Sequence, residues 1–343
     1  PNSGCGSWLF EPQSTNLITY SEDFSQWDKN TDNSLTQTPN SATSPDGSFN
    51  STKVEKVANG YSYLRTTYTS STGTFSIFIK KGNHRYIGIR NNETGTAHSV
   101  FDFDTESFIL TKPNHTLSFV KYPNGWYRII DYVSVNDNSP YRGIALSDID
   151  GNEFNNVNIP INSFVYVWGG QGEAGSNATS YIPTNGAAST RLQDIANNSG
   201  NSDLFNSTEG VLYAEIKADN DGTFKVIEIN DGSNSNRISL FINNSNYLGA
   251  YLFNGTVQYN YTSNINNLNF HKVAFKYKEN DFSFFIDGIE VNTNNSGTVF
   301  SLNTLNELRF SDMGSTVFYG NVKSVAVFKE ALTDTELELL TAP

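Results

Sequence analysis

Short runs of β-branched and aromatic residues, cut at close intervals by turn signals, fill this chain and constrain its fold more than any other feature. Phe75, Ile77 and Ile79 alternate along Thr74 to Lys80; Ile87 and Ile89 follow the turn Lys81-Gly82-Asn83, and Val100-Phe101-Asp102-Phe103 comes next. A period of two places such residues on one face of a strand. Pro45-Asp46-Gly47, Pro123-Asn124-Gly125 and Asp150-Gly151-Asn152 separate the runs, and each triplet supplies turn dihedrals that β-branched residues resist. Runs of Ala, Leu, Glu and Lys that would favour helix are nearly absent. The pattern predicts an all-β fold of consecutive antiparallel β-sandwiches.

A chain of 343 residues is long for one sandwich and suits two, each with its own core. Residues 1–15 are rich in Gly, Ser and Pro around the apolar cluster Trp8-Leu9-Phe10 and read as an N-terminal connecting arm. Residues 16–191 form the first sandwich, with strands that include Trp126 to Val135, Tyr141 to Leu146 and Phe164 to Trp168. Residues 192–205 carry a small, polar, aperiodic stretch and read as a linker. Residues 206–343 form the second sandwich. Its strands are expected at Val211 to Lys217, Phe224 to Asn230, Arg237 to Ile242, Tyr247 to Phe253, Thr256 to Tyr261, Phe270 to Tyr277, Phe282 to Val291, Glu307 to Ser311 and Val322 to Phe328. One short helix is expected after the capping box Thr333-Asp334-Thr335-Glu336, docking through Leu337, Leu339 and Leu340.

The formal net charge is -13. Such a surface repels phosphate backbones and anionic headgroups, which argues against nucleic acid and against insertion into membranes. No apolar run approaches the roughly 18 residues that span a bilayer. Cys5 is the only cysteine, so no intrachain disulfide can form. Met313 is the only methionine, so Pro1 is not an initiator and the chain reads as a processed product or a fragment.

Two resemblances add to this reading. Leu9-Phe10-Glu11-Pro12-Gln13-Ser14-Thr15-Asn16-Leu17, Tyr20-Ser21-Glu22-Asp23-Phe24-Ser25-Gln26-Trp27, Asn124-Gly125-Trp126-Tyr127-Arg128, Trp168-Gly169-Gly170-Gln171-Gly172-Glu173-Ala174-Gly175 and Ala178-Thr179-Ser180-Tyr181-Ile182-Pro183-Thr184 follow one another in order. The first domain thereby resembles a carbohydrate-binding-module-like jelly roll that recurs in bacteriophage tail and structural proteins. His271-Lys272-Val273-Ala274-Phe275-Lys276-Tyr277, Phe284-Phe285-Ile286-Asp287-Gly288 and Gly320-Asn321-Val322-Lys323-Ser324-Val325-Ala326-Val327-Phe328 carry the second resemblance. With them the second domain resembles laminin-G-like, concanavalin A-like lectin/glucanase sandwiches. The resemblance implies a sandwich fold, and folds of this kind host lectins, enzymes and spacers alike.

Catalytic constellations are sparse. Glycoside hydrolysis uses paired carboxylates; Glu215 with Asp219 and Glu228 with Asp231 are candidates, but the Glu-x-Asp-x-x-Glu strand of concanavalin-like glucanases is absent. The histidines His84, His98, His115 and His271 are scattered, and no Gly-x-Ser-x-Gly elbow occurs. The chain is therefore expected to be non-catalytic. Asp219, Asp221 and Asp231 crowd oxygen ligands into turns, where they either cage a structural calcium ion or simply cap the turns. Glu22 and Asp23 lie in the loop where the jelly-roll resemblance implies calcium, although Trp168-Gly169-Gly170 stands where an acidic ligand is expected.

Sugar binding needs aromatic plates and planar amides. Tyr247, Tyr251, Tyr259 and Tyr261, with Asn244, Asn246 and Asn260, offer such a plate in the second domain. Tyr61, Tyr63 and Tyr68 offer one in the first, whereas Trp126 and Trp168 read as core. The expected function is a glycan-binding adhesin of cell-surface or extracellular polysaccharide. It would be oligomeric or part of a larger assembly, on a phage virion surface or secreted by a bacterium. Two other readings stay open, a structural spacer and the binding part of a secreted carbohydrate-active enzyme.

Overall fold

The structure, a computed structural model, describes residues 6–29, 33–67, 72–91, 98–134, 141–154, 156–219 and 222–343. Cys5 and Tyr68 lie outside them. The chain divides into two compact units, Gln13–Leu192 and a second made of Gln193–Pro343 together with the N-terminal residues up to Pro12.

The first unit carries two six-stranded antiparallel sheets. One is ordered Ser107–Leu110, Ser99–Asp102, Tyr86–Asn91, Tyr141–Leu146, Tyr63–Thr67, Asp28–Lys29. The other runs His115–Tyr122, Trp126–Val133, Gly73–Lys81, Phe164–Glu173, Ser51–Lys56, Leu35–Ala42. Alternation along each strand delivers Ile87, Ile89, Phe101 and Ile144 from one sheet and Phe75, Ile77, Ile79, Ile129, Val165 and Val167 from the other into a single core. Trp126 and Trp168 are buried with Phe78 in a satellite cluster, and the Trp126 indole N–H donates to the Thr43 carbonyl at 2.9 Å.

The second unit repeats the plan. A six-stranded sheet is ordered Trp8–Phe10, Gly320–Phe328, Glu209–Ala218, His271–Lys278, Phe282–Ile286, Ile289–Asn294, and a five-stranded sheet Val257–Asn266, Tyr247–Asn254, Asn236–Ile242, Lys225–Asn230, Glu307–Arg309. Ile227, Ile229, Ile238, Leu240 and Leu252 of the second sheet meet Leu212, Val273, Phe275 and Phe284 of the first in one core. The run expected from Phe282 to Val291 is two strands, joined by Asp287 and Gly288 with φ of 49° and 79°. Both residues lie in the left-handed region that a tight Asp-Gly hairpin requires.

The amino-terminal residues depart from the expected connecting arm. Trp8–Phe10 is an edge strand of the second unit, with Trp8 opposite Val322 and Phe10 opposite Gly320. Ser14–Asn16 pairs with Ser189–Arg191 in the first unit. The expected linker is likewise hydrogen-bonded into the second unit: Asp194 exchanges bonds with Glu11, and Ser199 bridges Leu308. Aperiodic polar sequence hides such pairing, because backbone N–H and C=O groups join a ladder whatever their side chains. The helix forms at Asp334–Thr341 with its capping box complete. Leu337 is fully buried and Leu340 packs beside it, but Leu339 is 72% exposed. Positions three apart share a helix face, whereas Leu339 lies two residues from Leu337 and points away.

Phe10 stacks on Phe310 at 4.7 Å and meets Phe318 edge-on at 6.2 Å. Phe10 is half-buried, so Phe10→Ala is expected to cost about 2 kcal/mol, below the ~3–5 kcal/mol of a fully buried phenylalanine. Denaturant unfolding followed by fluorescence checks it; an unchanged midpoint would show that the strand adds nothing to the second unit.

Candidate functional site

The period of two that fills the second core also builds the outer face of the five-stranded sheet. Leu248, Ala250 and Leu252 point inward from Tyr247–Asn254, so Tyr251 points outward. Register then aligns one residue from each strand: Asn260 opposite Tyr251, Tyr251 opposite Ser239, Ser239 opposite Glu228, and Glu228 opposite Arg309. A parallel row pairs Thr262 with Gly249, Gly249 with Phe241 and Phe241 with Val226. Gly249 is required there: a Cβ would stand 2.2 Å from the Phe241 ring. Phe241 in turn stacks on Phe224 at 5.2 Å and 18°.

These two rows floor a cavity of about 410 Å³, whose lining also includes Arg237, Asn243 and Asp312. Glu228 is its deepest charge, only 1% exposed. Its Oε1 accepts from the Asn230 side-chain amide at 2.7 Å and its Oε2 from the Ser239 hydroxyl at 3.0 Å. The Arg237 guanidinium stands 3.8 Å from Oε2 and lies over the Tyr251 and Phe253 rings at 5.2 and 5.1 Å. Burial pushes the Glu228 carboxyl above the ordinary carboxylate range, against the opposing pull of its two hydrogen bonds and of Arg237; Asp312 adds a smaller push in the same direction. Asp312 itself caps a turn, accepting from the Gly314 and Thr316 amides at 2.7 and 3.0 Å.

The expected tyrosine plate is split by this geometry. Tyr251 lines the cavity. Tyr247 is 36% exposed on the same strand, beyond the cavity wall. Tyr259 is core, 3% exposed and packed at a tilt on Phe275 at 4.7 Å, and Tyr261 packs inward on the same cluster. Gln258, Asn260 and Thr262 alternate with those tyrosines and take the outward positions. The reason lies in the partner positions: burying Tyr259 and Tyr261 leaves the polar residues on the wet face. Asn244 is exposed in the turn between strands, and Asn246 is buried with φ of 62°, its amide bonded to the Asn243 carbonyl. Asn246 therefore shapes the turn and does not flank the plate.

Sequence reading missed Phe224, Arg237, Ser239, Phe241 and Thr262. A usable signal was present for Arg237, Ser239, Phe241 and Thr262, each one residue from an inward-facing aliphatic or aromatic on its strand, whereas Phe224 precedes the strand Lys225–Asn230 and carries no such signal.

Asp231 accepts from the Ser233 amide and hydroxyl and from the Asn236 side chain, all within its own hairpin. Asp219 lies at the end of Glu209–Ala218, and Asp221 is outside the described residues. Among the described residues no three carboxylate, imidazole or thiol groups converge as a metal cage would. In the first unit Glu22 and Asp23 line a second cavity of about 590 Å³. Glu22 holds the Tyr181 hydroxyl at 2.9 Å and the Asn50 amide at 3.2 Å, while Asp23 caps the turn Phe24–Gln26. Tyr61 packs on Phe154 at 4.6 Å and lies 6.3 Å from Tyr63. Tyr63 lies beneath the Arg90 guanidinium at 4.0 Å, which is held in turn by Glu153 at 2.9 and 3.2 Å.

Residues 194–338 match the Laminin_G_3 family, described as the concanavalin A-like lectin/glucanases superfamily. A comparison with curated proteins finds no match. Among solved structures, a carbohydrate-binding module (CBM40) of a Ruminococcus gnavus IT-sialidase bound to alpha2,3 sialyllactose is 18% identical, with 39% of this chain and 83% of that one covered at a TM-score of 0.35. Domain 4 of AbnA, a GH43 extracellular arabinanase from Geobacillus stearothermophilus in complex with arabinotriose, is 14% identical over 45% and 73% at 0.34. Domains LG4-5 of the mouse laminin alpha1 chain are 12% identical over 79% and 90% at 0.28.

The raised Glu228 carboxyl carries a stability signature. Folding favours its protonated form, so its contribution is full below the unfolded carboxyl pKa and is lost as pH rises through the higher folded value. Glu228→Gln keeps the shape and removes the titration. The variant is expected to melt above the native chain near about pH 8, with the difference closing toward about pH 4, where unfolded glutamate (~4.3) is half-protonated. Thermal melts across that range decide it, and a variant less stable at every pH would contradict the assignment.

Proposed function

We propose that the chain is a non-catalytic glycan-binding adhesin, and that the outer groove of the five-stranded sheet holds the saccharide. The observation that carries this reading is the row Asn260, Tyr251, Ser239, Glu228 across neighbouring strands, beside the stacked rings of Phe224 and Phe241. A pyranose has apolar faces that pack on such rings and a belt of hydroxyls that exchange hydrogen bonds with amides, hydroxyls and carboxylates. The superfamily description of residues 194–338, which names lectins, supports it. So does the acidic net charge, which disfavours nucleic acid as the partner.

The non-catalytic part rests on the carboxylates. The Glu-x-Asp-x-x-Glu strand of concanavalin-like glucanases is absent from the sequence, and of the two carboxylates lining the groove Asp312 accepts the Gly314 and Thr316 amides through one oxygen while Glu228 is bonded to Asn230 and Ser239. Hydrolysis divides labour between one protonated and one ionised carboxyl placed about the scissile bond. The finer reading, a bacteriophage fibre or capsid-decoration protein or else a secreted bacterial adhesin, is supported by the sequence resemblance of the first domain. Repetition in such an assembly raises the effective concentration of weak single sites.

The test is binding of multimerised chain to a glycan array, followed by calorimetry with the best saccharide. Tyr251→Ala and Phe241→Ala are each expected to weaken binding about tenfold, or ~1.4 kcal/mol. Absence of binding to every polysaccharide would leave a spacer. Release of reducing ends that Glu228→Gln abolishes would make the chain an enzyme.

A further inference from the structure

We infer that the groove selects uncharged saccharides over uronates and other acidic sugars, and that Glu228 sets this choice; the inference rests on the groove being the saccharide site. Among the described residues three charged side chains line the cavity, Glu228, Asp312 and Arg237, so two carboxylates stand against one guanidinium. That guanidinium is already engaged. It lies over Tyr251 and Phe253, stands 3.8 Å from Glu228 and donates to the Asn234 carbonyl. On the other flank, Arg309 faces Glu228 across the sheet but is held by Glu307 at 2.8 Å. A sugar carboxylate entering this groove meets Glu228 before it meets an uncommitted cation.

A neutral sugar meets the opposite situation. Each Glu228 oxygen accepts one protein hydrogen bond, from Asn230 or from Ser239, and an ionised carboxylate oxygen offers a second acceptor site. A saccharide hydroxyl that reaches Glu228 from the cavity it lines would fill such a site. A bond to an ionised acceptor is stronger than one between neutral groups, and the low exposure of Glu228 weakens the competition from water. The residue that attracts hydroxyls is thus the residue that repels anions.

The groups facing Glu228 are Arg237 and Ser239 from the strand on one side, Arg309 and Glu307 from the strand on the other, and Asp312 beyond it; its own strand contributes Asn230 and Val226. Its carboxyl titrates above the ordinary range because it is buried. As pH falls, Glu228 is therefore neutralised while the exposed carboxylates of a sugar polymer remain ionised. Discrimination against acidic sugars is expected to relax in that window.

The experiment measures binding of the intact chain to immobilised neutral polymers (dextran, laminarin, galactan) and acidic polymers (polygalacturonate, alginate) at fixed ionic strength, near about pH 8 and about pH 4, the ordinary glutamate range above which burial raises Glu228. At the higher pH the native chain is expected to bind its best neutral polymer at least ~10-fold more tightly than any acidic one. The ratio is expected to narrow at the lower pH. Glu228→Gln should bring it to within about threefold and remove its pH dependence. The variant also separates Glu228 from the -13 charge of the whole chain, which it barely alters. Acidic polymers bound as tightly as neutral ones by the native chain would overturn the inference and leave saccharide binding standing, as would a ratio unaffected by pH or by Glu228→Gln. Binding to neither class would overturn both.

Discussion

Everything in the second unit descends from the closure of one apolar face on another. Ile227, Ile229, Ile238, Leu240 and Leu252 leave water against Val273, Phe275 and Phe284, and this burial fixes which way every strand faces. A slip of one residue would exchange the two faces entirely, so the core specifies register and register specifies the groove. The row from Asn260 to Glu228 is therefore a consequence of packing on the far side of the sheet.

Against that background Glu228 is costly. A carboxylate at 1% exposure loses most of its hydration, and its hydrogen bonds from Asn230 and Ser239 return only part of it, as its raised pKa records. An aliphatic side chain would fit the sheet more cheaply. Such local sacrifices of stability concentrate at sites that bind something, where a desolvated charge and exposed rings wait for a partner. The groove's rings tell the same story, since Phe224 remains 43% exposed on a face that otherwise could have been polar.

The path of the chain is a second consequence of edge chemistry. The last long strand of the second unit, Gly320–Phe328, would present an unpaired row of backbone groups. Trp8–Phe10 covers part of that row, and Phe10 seals it by stacking on Phe310. The second unit is thus built from both ends of the chain, and the first unit is the sequence between them.

Alternation and turn chemistry in the sequence determined the strand content, the two-sandwich plan, the Asp287-Gly288 hairpin and the capped terminal helix, because these depend on residues close together along the chain. The buried tryptophans Trp126 and Trp168 were legible for the same reason. Long-range pairing was not: nothing local announces that Trp8–Phe10 will find Gly320–Phe328 some 300 residues away. The candidate site was legible only in part. Tyr251 and Glu228 stood out by type, yet Tyr259 and Tyr261 look identical to Tyr251 until the core decides which face of each strand is dry. Only tertiary structure made that choice, because an aromatic residue serves a core and a binding face equally well, and the difference lies in what packs behind it.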